Sequence, residues 1–401
     1  MLRRHMLQSG LALLAAPAVL RPAEAAAGEP GFAARLRPLL LADLAATRTP
    51  GALVLVDDPR RGCWAAALGS RDRAGRRLRL DSHMRIGSVT KTLTGTAVLQ
   101  LVDRGLVGLD RPVERYLPGL VPNGRAITVR QLLDMTSGLF NTTEDRRLNE
   151  LTVRDPRRAF TVRETLAFAF RHEPYFAPGQ GYHYANTNFD LLGLLVERVT
   201  GRSLAAVVAE RILRPLGLRH TELPELRLVQ RLRRPYARGY QFGSNLDGLD
   251  AYLALLGGDL GAMVRVPKGA APYDATFWNL SYTWASGAAT STLRDMAVWA
   301  KALATGTLLS PALQRERLRL VPGTNYGLGI AEVVPGFIGH TGAVSGFQAA
   351  VGHAPARRAT IVVLANSIVG PNIPLIQALP ADRWLASAFA SQGAWSASRC
   401  N

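Results

Sequence analysis

Arg85-Ile86-Gly87-Ser88-Val89-Thr90-Lys91 opens a segment that stays apolar at helical spacing to about Leu106. Leu93, Ala97, Val98, Leu101 and Val102 fall on one face of such a helix. Gly87 and Ser88 stand where it would begin, at the positive end of its dipole, where backbone N–H groups lack intrahelical partners. Residues three apart on a helix are surface neighbours, so Ser88 and Lys91 can touch. A serine hydroxyl is a weak nucleophile until a base takes its proton, and a desolvated lysine of lowered pKa can be that base. A four-residue pattern also recurs by chance, so its weight depends on what accompanies it.

Upstream, Phe32 to Leu44 predicts an amphipathic helix, and Ala52–Val56 and Cys63–Leu68 predict two strands joined through the turn residues 57–62. Downstream comes a largely helical stretch, with helices expected at Thr128–Met135, Thr161–Phe170, Asn188–Val199 and Leu204–Ile212. Residues 231–283 are irregular and aromatic-rich, a pattern that suits a substrate wall or lid. Tyr326–Val334, Gly336–Gly342, Phe347–His353 and Thr360–Asn366 read as consecutive strands, and Ile373–Phe389 as a closing helix. The order predicts an α+β fold: a mainly antiparallel sheet flanked by helices, with an inserted helical lobe. On this reading residues 26–401 are one catalytic domain. Its mixed lobe comes from about 26–90 and 310–401, its helical lobe from about 91–309.

The 401 residues include 48% hydrophobic and 19% charged side chains, which excludes disorder as the default. The net charge of +18 rests on arginine, with lysine only at positions 91, 268 and 301. The arginines form short scattered clusters, Arg71–Arg77, Arg146-Arg147 and Arg231–Arg234, without a nucleic-acid motif, so no nucleic-acid partner is expected. Electrostatic association with an anionic envelope surface stays open. Residues 1–25 have the form of an export signal: Arg3-Arg4, an apolar run from Leu11 to Leu20, and Ala23-Glu24-Ala25 for cleavage. A periplasmic or secreted location follows, with Arg3-Arg4 in the style of a twin-arginine signal. In an oxidising compartment Cys63 and Cys400 could pair, or Cys63 could be a small buried hydrophobe. No metal cluster or cofactor motif stands out, and none is expected.

Two further motifs give the Ser88 segment company. Tyr184-Ala185-Asn186 precedes a helix; if extended, it points Tyr184 and Asn186 the same way, a phenol to move a proton and an amide to orient a substrate carbonyl or amide. The plain alternative is a packed tyrosine and an Asn186 helix cap. Gly339-His340-Thr341-Gly342 ends an apparent strand, where Gly342 would admit a substrate backbone and His340 and Thr341 would donate to its carboxylate or carbonyl. Its alternative is a polar edge strand.

In the order Ser-x-x-Lys, Tyr-x-Asn, His-Thr-Gly, these resemble the penicillin-recognising serine hydrolases: class C β-lactamases, D-alanyl-D-alanine carboxypeptidases and related esterases. The resemblance runs from about Ala52 to Asn366. It includes Arg85–Thr92, Val107–Pro118, Ile127–Leu139, Pro178–Gly193, Trp284–Asp295, Tyr326–Gly329 and Gly339–Phe347. It implies a β-lactamase/transpeptidase-like fold and Ser88 as the acylated nucleophile. Lys91 and Tyr184 would be the coupled proton-transfer pair, with the acylation base open between them. Asn186, His340, Thr341 and Gly342 would bind substrate, and the N–H groups of Ser88 and Ala343 would form an oxyanion hole. His340 stands where class C β-lactamases carry lysine, which points toward the carboxypeptidase branch. Ala343 replaces a frequent hydroxyl residue, and 326–335 offers no arginine for a terminal carboxylate. The expected activity is a D-alanyl-D-alanine carboxypeptidase-like peptidase, with an esterase, a class C-like β-lactamase or a slowly deacylating penicillin-binding sensor as alternatives. The expected partner is a small molecule or peptide: a D-amino-acid peptide, an ester or a β-lactam.

Overall fold

The computed structural model describes residues 30–225, 232–245, 247 and 271–369. Helix α1 (Gly31–Ala46) leads into strands β1 (Gly51–Asp58) and β2 (Gly62–Gly69), then the short β3 (Met84–Arg85). Helices α2 (Thr90–Asp103), α3 (Val129–Leu133), α4 (Arg146–Arg154), α5 (Val162–Ala169), α6 (Asn186–Thr200) and α7 (Leu204–Val208) follow. Strands β4 (Tyr240–Phe242) and β5 (Tyr273–Asp274), helix α8 (Trp284–Gly287), β6 (Thr290–Ser291), α9 (Leu293–Thr305) and α10 (Pro311–Arg317) complete the middle. The chain returns as β7 (Ala331–Val334), β8 (Phe337–Val344), β9 (Phe347–Ala354), β10 (Ala359–Ala365) and β11 (Ser367–Val369).

The main sheet has the order β2-β1-β10-β9-β8-β7, with each neighbouring pair antiparallel. β1 is a near-continuous apolar run because both its faces are covered. Leu53 and Leu55 enter the large core shared with the helices, while Ala52, Val54 and Val56 face a second core under α1. α1 carries Pro38 in its interior, a residue that costs a helix about 3 kcal/mol. Phe32, Leu36, Leu40 and Leu44 are buried against the sheet and contribute roughly 1.5–3 kcal/mol each, so packing outweighs the break.

α2 runs through the centre. Thr90, Thr92, Thr94 and Thr96 are poor helix formers, yet all are buried with bonded hydroxyls: Thr94 Oγ1 donates to Ala285 O at 2.7 Å, and Thr92 Oγ1 accepts from Trp299 Nε1 at 2.7 Å. Tertiary contacts fix this helix where propensity alone would not.

The expected elements are found with adjusted ends. Tyr326–Val334 is a strand only from Ala331, because Gly327 N bonds Ile330 O and Gly329 takes a φ of +67°. Ser88 sits in a 3-10 turn over Gly87–Val89, just ahead of α2. The stretch expected as helix to Ile212 widens into a π-turn over Ala209–Leu213. The signal segment, the closing helix at Ile373–Phe389 and the Cys400 half of the Cys63 pairing lie outside the described residues, as does much of 231–283. Among the described residues no helix is long and apolar enough to cross a membrane.

Candidate active site

The turn bearing Ser88 is pinned on both sides. Ile86 N donates to Ala289 O at 3.0 Å, and Thr90 Oγ1 donates to Gly87 O at 2.6 Å while accepting from Ala289 N. Gly87 adopts a φ of +52° there; a Cβ would stand 2.6 Å from Ala343 N. A Cβ on Gly342 would stand 1.9 Å from Ile86 O and 3.1 Å from Ser88 N. The two glycines thus let β8 lie directly against the Ser88 turn, and the N–H groups of Ser88 and Ala343 border one seam. The close approach expected of a substrate at Gly342 is made instead by Ile86 of the same chain.

One helical turn after Ser88, Lys91 is fully buried. Its Nζ lies 2.9 Å from Ser88 Oγ, 2.6 Å from Asn186 Oδ1 and 2.9 Å from Ser286 O. Two of these three, the amide oxygen and the backbone carbonyl, only accept hydrogen bonds. A protonated Nζ donates to all three. A neutral Nζ must place its two hydrogens on Asn186 and Ser286, which aims its lone pair at Ser88, the one partner with a proton to give. Burial pushes Lys91 down to about 7, against the pull of Asp190, so this neutral form is accessible near neutral pH.

Asn186 begins α6 and is not its cap. Its amide nitrogen donates to Thr143 Oγ1 at 2.8 Å and Asn141 Oδ1 at 3.3 Å, which takes up both hydrogens and fixes Oδ1 toward Lys91. No donor remains for the substrate amide it was expected to hold; Asn186 positions the lysine. Tyr184 is half-buried, with its ring centroid 4.8 Å from Lys91 Nζ, a cation–π contact that favours the charged amine.

His340 is placed differently from expectation. It is buried, its Nδ1 lies 2.5 Å from Thr341 O and its Nε2 lies 3.0 Å from Tyr326 Oη. A carbonyl can only accept, so Nδ1 carries the hydrogen, and Nε2 accepts from Tyr326. Burial, together with the nearby Lys91, pushes its pKa down to about 3, so the ring is neutral. Both nitrogens are occupied by the protein, and none is left to donate to a substrate carboxylate. Thr341 lies on the opposite face of β8 from His340, the face on which Ala343 packs against the α1 core.

The sequence reading did not single out Asp190, Ser286 or Tyr326. Asp190 follows Asn186 by one helical turn on α6 and is fully buried, its oxygens near the Ser286 and Ala285 groups without completing a hydrogen bond. Burial pushes its carboxyl up to about 8, opposed by the charge of Lys91. A lone acid inside the apolar run Phe189–Leu195 was its visible signal; a carbonyl such as that of Ser286 leaves none. Among the described residues no group of three His, Cys, Asp or Glu is placed to hold a metal.

This geometry can activate a serine for acyl transfer, and comparison with known proteins agrees. Residues 36–373 match the family described as Beta-lactamase. The chain is 37% identical over 203 residues to Esterase EstB of Burkholderia gladioli, covering 47% of this chain and 50% of the esterase. It is 30% identical over 173 residues to Penicillin-binding protein 4* of Bacillus subtilis (strain 168), 42% of this chain and 36% of that one. The matches thus span half or less of these curated relatives. Among solved structures, a D-stereospecific amidohydrolase from Streptomyces sp. superposes with a TM-score of 0.73 at 29% identity, over 90% of this chain and 99% of that one. The D-amino acid amidase from Ochrobactrum anthropi SV3 complexed with L-phenylalanine amide gives 0.71 at 25% identity, over 89% and 98%. The chain belongs to the beta-lactamase family.

Proposed function

We propose that the protein hydrolyses uncharged esters and D-amino-acid amides through an acyl-enzyme on Ser88. The observation that carries this is the arrangement around Lys91, in which two acceptor-only partners leave the lone pair of the neutral amine facing Ser88 Oγ. As Ser88 Oγ bonds the substrate carbonyl carbon, its proton passes to Lys91 Nζ. The resulting oxyanion lies in the seam between the N–H groups of Ser88 and Ala343. The carbonyl re-forms as the bond to the alcohol or amine breaks, and the leaving group takes the proton from Lys91, with Tyr184 as the relay. Water then adds to the acyl-enzyme, giving its proton to Lys91. Release of the acid returns a proton to Ser88 Oγ.

The restriction to uncharged leaving groups rests on the third motif. A carboxy-terminal peptide needs a cation for its carboxylate. His340 is neutral and enclosed. The buried Arg85 and Arg317 turn to backbone carbonyls, Arg85 Nη2 to Trp278 O at 2.7 Å and Arg317 Nη2 to Thr92 O at 3.3 Å. The D-alanyl-D-alanine carboxypeptidase, β-lactamase and penicillin-sensor readings, whose substrates carry a free carboxylate, therefore rank below ester and amide hydrolysis. Relatives named as an esterase and a D-stereospecific amidohydrolase support the same order. Export to the periplasm or beyond is part of the proposal and rests on Arg3-Arg4, the Leu11–Leu20 run and Ala23-Glu24-Ala25.

Intact-mass spectrometry with a serine-reactive phosphonate tests the nucleophile: one adduct is expected on the wild type and none on Ser88→Ala. Parallel turnover of a p-nitrophenyl ester, a D-phenylalanine amide and a D-alanyl-D-alanine peptide tests the substrate class. Faster cleavage of the peptide than of ester and amide would overturn it.

A further inference from the structure

Two of the arginine clusters visible in the sequence, Arg71–Arg77 and Arg231–Arg234, are about 160 positions apart. The fold brings Arg71 and Arg76 of the first and Arg234 of the second to one open cavity of about 690 Å³, lined also by Arg79, Arg238 and Tyr236. None of these residues belongs to the Ser88 site. The volume falls in the range of small-ligand sites, roughly 300–1,000 Å³.

The walls are tied together by backbone. Arg238 N donates to Arg71 O at 2.8 Å, Arg71 N to Arg76 O at 2.8 Å and His83 N to Pro235 O at 2.8 Å. Asn366 Nδ2 donates to Ser70 O and Arg71 O from behind. The cavity is therefore pre-formed, which lowers the ordering cost of binding.

Four of the five guanidinium groups meet three carboxylates. Buried Asp72 takes Arg76 Nε at 2.7 Å and Arg71 Nε at 3.3 Å, Asp274 takes Arg238 Nε at 3.2 Å, and Asp81 takes Arg79 through Nε and Nη2. Among the described residues, Arg71, Arg76 and Arg238 are thus held by Nε with their Nη groups uncommitted, and Arg234 has no carboxylate within ion-pair distance. Anchoring by Nε orients a guanidinium while leaving the donors at its far end for another acceptor. A carboxylate would satisfy one such fork. Phosphate, with three oxygens and up to two charges, can bridge several.

We propose that this cavity is a binding site for a phosphate-bearing anion, of the size of a diphosphate or a phospholipid headgroup. The site is independent of the hydrolase reading.

The experiment is isothermal titration of the full chain with sodium pyrophosphate at fixed ionic strength, with flotation on phosphatidylglycerol and phosphatidylcholine vesicles in parallel. Arg234→Ala and Arg76→Ala/Arg234→Ala test the cavity. Arg163→Ala/Arg294→Ala, two exposed arginines elsewhere, matches the double variant in net charge. Arg234→Ala removes no described ion pair, so it keeps the test valid if the double variant fails to fold. Saturable pyrophosphate binding is expected, weakened about tenfold or more by the cavity variants and within twofold of wild type in the control. If phosphatidylglycerol vesicles also bind, and pyrophosphate displaces them, the anion is a headgroup; pyrophosphate binding without vesicle binding identifies a soluble phosphate. Absence of saturable binding, or equal weakening by cavity and control variants, overturns the site.

Discussion

Gly342→Ala perturbs the seam on which the proposed chemistry depends. The added methyl would stand 1.9 Å from Ile86 O. An ordinary carbon–oxygen contact is about 3.3 Å, so β8 and the Ser88 turn must part by roughly 1.4 Å. β8 is held in the sheet by β9 along its whole length, and the turn by Ala289, so the strain falls on the space between them. Overpacking of this kind costs about 1–3 kcal/mol of stability. Displacing one oxyanion donor by about 1 Å lowers kcat by roughly 10²-fold or more. Thermal unfolding and kcat on a p-nitrophenyl ester measure the two effects, with active-site titration counting the folded sites. Gly352→Ala is the control: its methyl, on neighbouring β9, would meet Phe337 Cβ at an ordinary 3.4 Å. Wild-type kcat per titrated site in Gly342→Ala would refute the placement of the oxyanion at this seam.

Turnover of a neutral ester should rise between about pH 6 and 8 as Lys91, held down near 7 by burial, loses its proton; the neutral amine is the reactive form, so activity is lost on the acid side. A profile flat from about pH 5 to 9 would move the base elsewhere. Asp190, held up near 8 by burial, carries its charge only at the alkaline end of this limb, where it favours the protonated lysine, so Asp190→Asn should lower the limb by less than about one unit; an upward-shifted limb would disconnect Asp190 from Lys91. Asn186→Ala should lower kcat about 10²-fold with little change in KM, because the lone pair of Lys91 loses its direction. A raised KM with unchanged kcat would return Asn186 to substrate binding.

Much of this was legible in the sequence because it is local. The i, i+3 spacing of Ser88 and Lys91 survives as a 2.9 Å contact, and the apolar run Ala52–Val56 is a strand covered on both faces. The roles that had to be revised depend on partners far along the chain. The orientation of Asn186 is set by Asn141 and Thr143, that of His340 by Tyr326, and the need for Gly342 by Ile86. Each residue type had suggested a contact with substrate, and each instead braces another part of the site. Period and turn chemistry cannot report such pairings, since they arise only when separate segments pack.

The partners of Lys91 carry a further consequence. Asn186 lies 95 positions from it and Ser286 lies 195 positions away. A partly folded chain lacking either element would have the serine and the lysine adjacent on one short segment, but with the amine free to rotate and no fixed direction for its lone pair. Covalent labelling of Ser88 during refolding would therefore report the docking of α6 and α8 on α2, starting only when both have closed on it.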